Sequence, residues 1–251
     1  MTMKPVGPDP YVFVPKQGEP RLLFVLLHGE SSSPEQLFPL AQAIKLAFPA
    51  AAVVLPFGHV QEAGAEVPSM RYSWVATGTE YDKDYASHVR LALPDLIEQI
   101  TKLQSQYGLF GEETALAGFS QGASMALEAS LARPDLAGRV LAFSGLYASR
   151  FEAAPPATLL HFFHGAEDTQ VSAHDVASTL ARLEALQGDA TLDVASDLGH
   201  EIHEALIRQA IVRLQTCVPL RNWQAALASL QQPEEDAQER TSSGCSGRTL
   251  H

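Results

Sequence analysis

Cysteine is nearly absent: the 251 residues hold two, Cys217 and Cys245, and the second lies in a polar tail. A structural disulfide is therefore not expected, and a reducing compartment suits the chain. Basic residues are also scarce, with 17 Lys and Arg against 29 Asp and Glu, a formal charge of −12. Nucleic acid needs clustered Lys and Arg to neutralise phosphates, and no such cluster occurs. The same deficit disfavours permanent docking on anionic membranes. No uninterrupted apolar run of about 18 residues exists, so no stable membrane insertion is expected. The amino-terminal MTMKPVGPDP carries one Lys and no apolar core, unlike a signal peptide. The cytoplasm is the expected location.

What is present is an ordinary globular composition, 46% hydrophobic and 18% charged, long enough for one large domain. Short apolar runs alternate with segments of helical period. The expected strands are Tyr11–Pro15, Arg21–His28, Ala51–Pro56, Thr114–Phe119, Gly138–Ser144, Thr158–His164 and Ala190–Ala195. The expected helices are Glu35–Phe48, Asp84–Tyr107, Gln121–Arg133, Ala173–Gln187 and Glu201–Cys217, with a last short one at Arg221–Leu230. Runs such as LLFVLL and TLLHFF are apolar at every position, as in strands covered on both faces. This alternation predicts a mostly parallel central sheet with helices on both faces. The first two runs are too close for a crossover helix, which predicts an antiparallel hairpin at the start.

Two segments break the rhythm. Phe57 to Glu80 is a long connection without clear period, and such loops in compact domains are usually functional or mobile. Residues 233–251 are polar and cannot offset their ordering entropy, so a disordered tail is expected after a single domain at 1–232.

The most informative pentapeptide is Gly118-Phe119-Ser120-Gln121-Gly122, a G-x-S-x-G nucleophile elbow. A sharp strand-to-helix turn pushes the hydroxyl outward, and flanking glycines remove Cβ atoms that would collide as the chain doubles back. A strand-like TALAGF precedes the motif and a helical ASMALEASLAR follows it, which is the context the chemistry requires. Ser120 then sits at a helix N-terminus, where the dipole favours an alkoxide or oxyanion.

A serine hydroxyl needs an imidazole to take its proton, and in elbow hydrolases the acid and then the histidine follow the serine. His200 follows the last strand on a loop, at the strand ends where ligands meet open parallel sheets. It leads over His203, which falls inside the expected helix. Asp168 follows the strand Thr158–His164 and reaches the same edge, with Glu167 and Asp175 as rivals. His161 and His164, three apart on a strand, face opposite sides and cannot share a metal. The His200-Glu201-Ile202-His203 spacing lacks a third ligand for zinc, so neither metal nor cofactor is expected.

Acyl transfer also needs backbone N–H donors for a tetrahedral oxyanion. One should be Gln121, after the nucleophile, and the second is assigned to Glu30 in the loop after Leu26-Leu27-His28-Gly29. The Glu30 carboxylate must then point away. His28 is read as orienting that loop by hydrogen bonding. Phe57 and Trp74 are placed to line or lid an acyl pocket, with Trp74 alternatively a core aromatic pinning the long loop.

The segments LLHG at 26–29, GFSQGASMALE at 118–128, HGAEDTQV at 164–171 and DLGHEI at 197–202 resemble the phospholipase/carboxylesterase family. That group contains bacterial carboxylesterases and acyl-protein thioesterases, and within it the chain looks most like the YpfH-type esterases. The resemblance implies an α/β-hydrolase fold, with Ser120 as nucleophile, Asp168 as acid and His200 as base. It implies the amides of Glu30 and Gln121 as the oxyanion hole. Serine at 120 separates the chain from dienelactone hydrolases, which use cysteine. The pattern departs at Glu30, where relatives carry a small or apolar residue, and in the shifted tryptophan segment RYSWVATG.

The expected activity is hydrolysis of a small-molecule carboxylic ester or thioester through an acyl-enzyme. A thioesterase or lysophospholipase is the alternative within enzymes. A non-catalytic binding member of the fold and an adaptor docking through its acidic tail are alternatives from other classes. Oligomeric state is left open, a homodimer included.

Overall fold

The computed structural model describes residues 8–61, 70–76 and 84–217. The expected helix at Arg221–Leu230, the tail at 233–251 and half of the long connection lie outside the described residues.

Seven strands form the central sheet: β1 Tyr11–Phe13, β2 Leu22–Leu27, β3 Ala51–Leu55, β6 Thr114–Phe119, β7 Arg139–Phe143, β8 Leu159–Gly165 and β9 Ala190–Ala195. Two more, β4 Val60–Gln61 and β5 Tyr72–Ser73, form a separate small ladder. The sheet order is β1-β3-β2-β6-β7-β8-β9, parallel except for β1. The expected opening hairpin is not formed. β1 runs antiparallel to β3, with Tyr11 opposite Leu55. The reason is that β2 already has β3 on one side and β6 on the other, so the free edge belongs to β3.

The continuous apolar strands serve two cores, one on each face, because successive side chains point to opposite sides. In β2, Leu23, Val25 and Leu27 enter one core while Phe24 and Leu26 enter the other. Leu160 and Phe162 of β8 join the first core, and Phe163 joins the second. The first core is covered by α2 Tyr85–Tyr107, α3 Gln121–Ala132 and α4 Ala173–Ala185 through Val89, Leu96, Met125, Leu127, Val176 and Leu183. The second is covered by α1 Phe38–Ala47 and α5 Glu204–Thr216 through Leu40, Ile44, Ile207 and Leu214. Each fully buried Leu or Phe contributes roughly 1.5–3 kcal/mol, so these faces hold the sheet rigid beneath its loops.

Helix boundaries shift slightly from expectation. The first helical stretch opens as a 3-10 turn at Pro34–Leu37, and α5 begins at Glu204, not Glu201.

Strand order also fixes where a site can form. From β2 the chain first crosses to β3 on one side and later returns to β6 on the other. The connections leaving the adjacent ends of β2 and β6 therefore run to opposite sides, β2 leading to β3 and β6 to β7, which is a topological switch point and the usual crevice for ligands in open α/β sheets.

Candidate active site

Ser120 stands between β6 and α3 with φ 52° and ψ −116°, a strained backbone for any residue with a side chain. The elbow closes tightly enough to exclude side chains beside it. A Cβ on Gly118 would lie 2.3 Å from the Gly122 backbone, and one on Gly122 would lie 2.1 Å from the Leu27 oxygen. The second contact presses α3 against the end of β2. Ser120 N–H donates to Phe143 O at 2.9 Å, and Ser144 N–H to Phe163 O at 2.9 Å, stepping the ends of β6, β7 and β8 together. Ser31, Ser120 and Ser144 all have positive φ, so backbone strain gathers at this edge.

The expected acid and base meet there. His200 Nδ1–H donates to Asp168 Oδ2 at 2.8 Å. The other carboxylate oxygen accepts the N–H groups of Gln170 and Val171, both at 2.9 Å. Burial pushes the Asp168 carboxyl up, but the Val171 N–H, His200 and Gln170 N–H outweigh it, leaving the group below the usual carboxylate range. Asp168 is thus ionised and holds the histidine in the tautomer with the proton on Nδ1, which leaves the lone pair on Nε2. The Phe119 ring lies 4.9 Å from the His200 imidazole, which seats the histidine against the residue preceding Ser120.

The rivals fall elsewhere. Glu167 and Asp175 are exposed, and Asp175 instead accepts the Ser172 hydroxyl at the start of α4. His203 is exposed just before α5, where its Nδ1 accepts Ala205 N–H at 3.2 Å. His174 is exposed on α4. Among the described residues no three His, Cys, Asp or Glu side chains come together to hold a metal.

The loop after β2 is held amide by amide. Gly29 N–H donates to Gln36 Oε1 at 2.8 Å, Ser31 N–H to Ser73 Oγ at 2.9 Å and Ser32 N–H to Tyr72 O at 3.0 Å. Among the described residues no acceptor meets the Glu30 amide between them, nor the Gln121 amide at the first position of α3. The Glu30 residue is exposed.

His28 is fully buried and works as the loop's pin. Its Nε2 accepts Gly58 N–H at 2.9 Å, while Nδ1–H donates to Gly29 O at 2.7 Å. Burial brings its pKa down to about 4, more than the Gly29 hydrogen bond raises it, so the ring is neutral and fits both bonds. Trp74 is 1% exposed within the first core, and its indole N–H donates to His28 O at 2.8 Å. That placement is that of a core aromatic pinning the long connection. Phe57 lies 4.9 Å from the Tyr72 ring and 5.9 Å from Tyr11.

Several contributors had no signal in the sequence: Gln36 and Ser73 as acceptors for loop amides, and the Gln121 side chain. His164 Nε2–H donates to Val171 O at 2.8 Å, closing the turn that carries Asp168. Its position four residues before Asp168 is the only clue to this in the sequence.

Comparisons with known proteins agree with this architecture. Residues 9–218 match the phospholipase/carboxylesterase family. The chain is 37% identical over 215 residues to esterase YpfH of Escherichia coli strain K12, covering 85% of this chain and 90% of that protein. Among solved structures, that of esterase PE8 superposes with a TM-score of 0.75 at 27% identity, covering 84% of this chain and 99% of that one. The Bacillus cereus carboxylesterase shares the fold, with a TM-score of 0.68 at 18% identity over 82% of this chain and 92% of that one. A strained serine elbow on a mostly parallel sheet and these similarities lead to one assignment: the chain belongs to the phospholipase/carboxylesterase family of α/β-hydrolases and is a carboxylesterase-type enzyme.

Proposed function

We propose that the chain hydrolyses small-molecule carboxylic esters through Ser120, His200 and Asp168 and an acyl-enzyme intermediate. The single observation that carries the reading is the 2.8 Å His200–Asp168 pair set against the residue next to the elbow serine. Nε2 of His200 takes the Ser120 proton as Oγ attacks the carbonyl carbon. The resulting oxyanion is received by the Glu30 and Gln121 amides, the two donors left over when the neighbouring loop amides are engaged. Collapse breaks the bond to the leaving alcohol, which departs with the proton from His200. Water, deprotonated by the same nitrogen, then attacks the acyl-enzyme and releases the acid, regenerating Ser120.

Asp168 supports both steps by stabilising the imidazolium, and its low pKa keeps it charged while it does so. Glu30 is exposed, which leaves its carboxylate room to stay in water, away from the developing negative charge. The name of the YpfH relative supports an ester over a thioester as the substrate.

The test is hydrolysis of p-nitrophenyl acetate by purified wild-type protein and Ser120→Ala. Turnover should disappear in the variant while its circular dichroism spectrum is retained. Undiminished turnover would remove Ser120 from the mechanism.

A further inference from the structure

The Gln121 side chain has no part in the chemistry above, yet the residue is 3% exposed and both ends of its amide are hydrogen-bonded. Its Oε1 accepts Trp74 N–H at 2.6 Å and Val75 N–H at 3.2 Å, and its Nε2–H reaches Val75 O at 3.4 Å. These bonds fasten α3 to the segment 72–75, 46 and 47 residues away in sequence. The same short segment fastens itself to the loop after β2. Ser73 Oγ accepts Ser31 N–H, Tyr72 exchanges both backbone hydrogen bonds with Ser32, and Trp74 Nε1–H grips His28 O. Gly58, whose backbone packs against Ser73, is held by His28 Nε2.

The segment 72–75 is therefore bonded on one side to residue 121 and on the other to residues 28, 31 and 32. Those are the two places that supply the proposed oxyanion donors: the amide of Gln121 itself, and the amide of Glu30 between Gly29 and Ser31. Each donor sits on a separate stretch of chain: β2 and β6 pair only as far as Leu27 and Gly118, and among the described residues no hydrogen bond joins residues 28–32 directly to Gln121. Resting on the catalytic reading above, we infer that the segment 72–75 is a brace setting the separation of the two donors, and that the Gln121 side chain is the positioning group locking it. Gln121 thus has two roles on one residue: its backbone amide faces the oxyanion, and its side-chain amide fixes the other half of the hole.

The chemistry of the side chain fits the task. Two adjacent backbone N–H groups converge on one carbonyl oxygen, which accepts through two lone pairs. A carboxylate would accept the same pair but would place negative charge beside the oxyanion. Met has similar length and no comparable acceptor, and would leave two buried N–H groups without partners. A hydrogen-bond donor acts on a transition state only when it lies 2.7–3.1 Å from the oxyanion, so a small displacement is costly. A misplacement of about 1 Å can cost on the order of a hundredfold in rate.

The experiment compares wild-type enzyme with Gln121→Met and, at the far end of the brace, Ser73→Ala. kcat and KM are measured with p-nitrophenyl acetate, normalised to sites titrated with a fluorophosphonate. Ki is measured for an aryl trifluoromethyl ketone, whose serine adduct places an oxyanion in the hole. Gln121→Met should lower kcat about tenfold or more with KM within about twofold, and weaken the ketone by a similar factor. Ser73→Ala should move both quantities in the same direction by a smaller factor. A merely structural role would reduce the titratable sites and leave the Ki of the remaining enzyme unchanged, which overturns the inference. So does wild-type kcat in both variants. If Gln121→Met does not fold, Ser73→Ala decides alone, and an unchanged Ki overturns the brace. Ser120→Ala run alongside separates the two readings: if it stays active the catalytic assignment fails, whereas an inactive Ser120→Ala with wild-type brace variants refutes the brace only.

Discussion

Acidification should destabilise this protein well above the pH at which carboxylates protonate, because two histidines are buried neutral. His28 is fully buried and His161 is too, and burial brings each pKa down from 6.5 to about 4. At His161 the nearby Arg139 and Arg213 charges add to burial, and Asp193 works against it. The geometry explains the cost. A second proton on His28 would land on Nε2, where Gly58 N–H already donates at 2.9 Å. His161 Nδ1 contacts Thr191 Oγ1 at 2.7 Å, and its Nε2 has no partner among the described residues. Between pH 6.5 and about 4 the unfolded chain therefore binds more protons than the folded one, and stability falls as pH falls through that window. From about pH 7 to about pH 5 each ring should cost on the order of 2 kcal/mol, together about 4 kcal/mol. That is a large part of the roughly 5–15 kcal/mol that typical domains possess. Asp168, with its lowered pKa, contributes stability that is lost only at lower pH, so it does not enter this interval. The assay is urea unfolding followed by far-ultraviolet circular dichroism across that range, on the wild type and His161→Leu. The variant should retain about half of the pH dependence. A flat profile in the wild type would refute the argument, as would an unaltered slope in the variant.

Two further outcomes follow from the site. Asp168→Asn should lower kcat by roughly 10³–10⁴ with KM changed little, since an amide supports the wrong imidazole tautomer; a loss under about tenfold would contradict the role given to Asp168. Gly122→Ala should destabilise the fold by roughly 3 kcal/mol or more, because its Cβ would stand 2.1 Å from the Leu27 oxygen. Thermal unfolding reads this directly, and a wild-type Tm would show that the end of β2 yields freely.

How much of this was visible in the sequence depends on how local each signal is. The elbow is a contiguous strand, turn and helix, so Gly118 to Gly122 could be read as such, and burial later required both glycines. Asp168 and His200 each follow a strand by a few residues, which places them at one edge whatever the strand order. The same locality separated Asp168 from exposed Glu167 only in the folded chain, where one is buried and the next door neighbour is not. Pairing was less legible. Spacing between Tyr11–Phe13 and β2 correctly excluded a crossover, but the partner of β1 is decided by which edge remains free after β3 and β6 have docked. The ladder of Val60–Gln61 with Tyr72–Ser73 involves two residues on each side, too few for any period to register. The Gln121 side chain lies further from local reading still, since its partners stand 46 and 47 positions earlier.

The most direct measurement of the central assignment is to trap the acyl-enzyme. Rapid acid quench of the protein turning over p-nitrophenyl acetate, followed by peptide mass spectrometry, locates the acetyl group. The account predicts acetylation on the peptide at Ser120, and none there in Ser120→Ala. Acetyl transfer to a different side chain, or full turnover with no covalent adduct at any time, would contradict it.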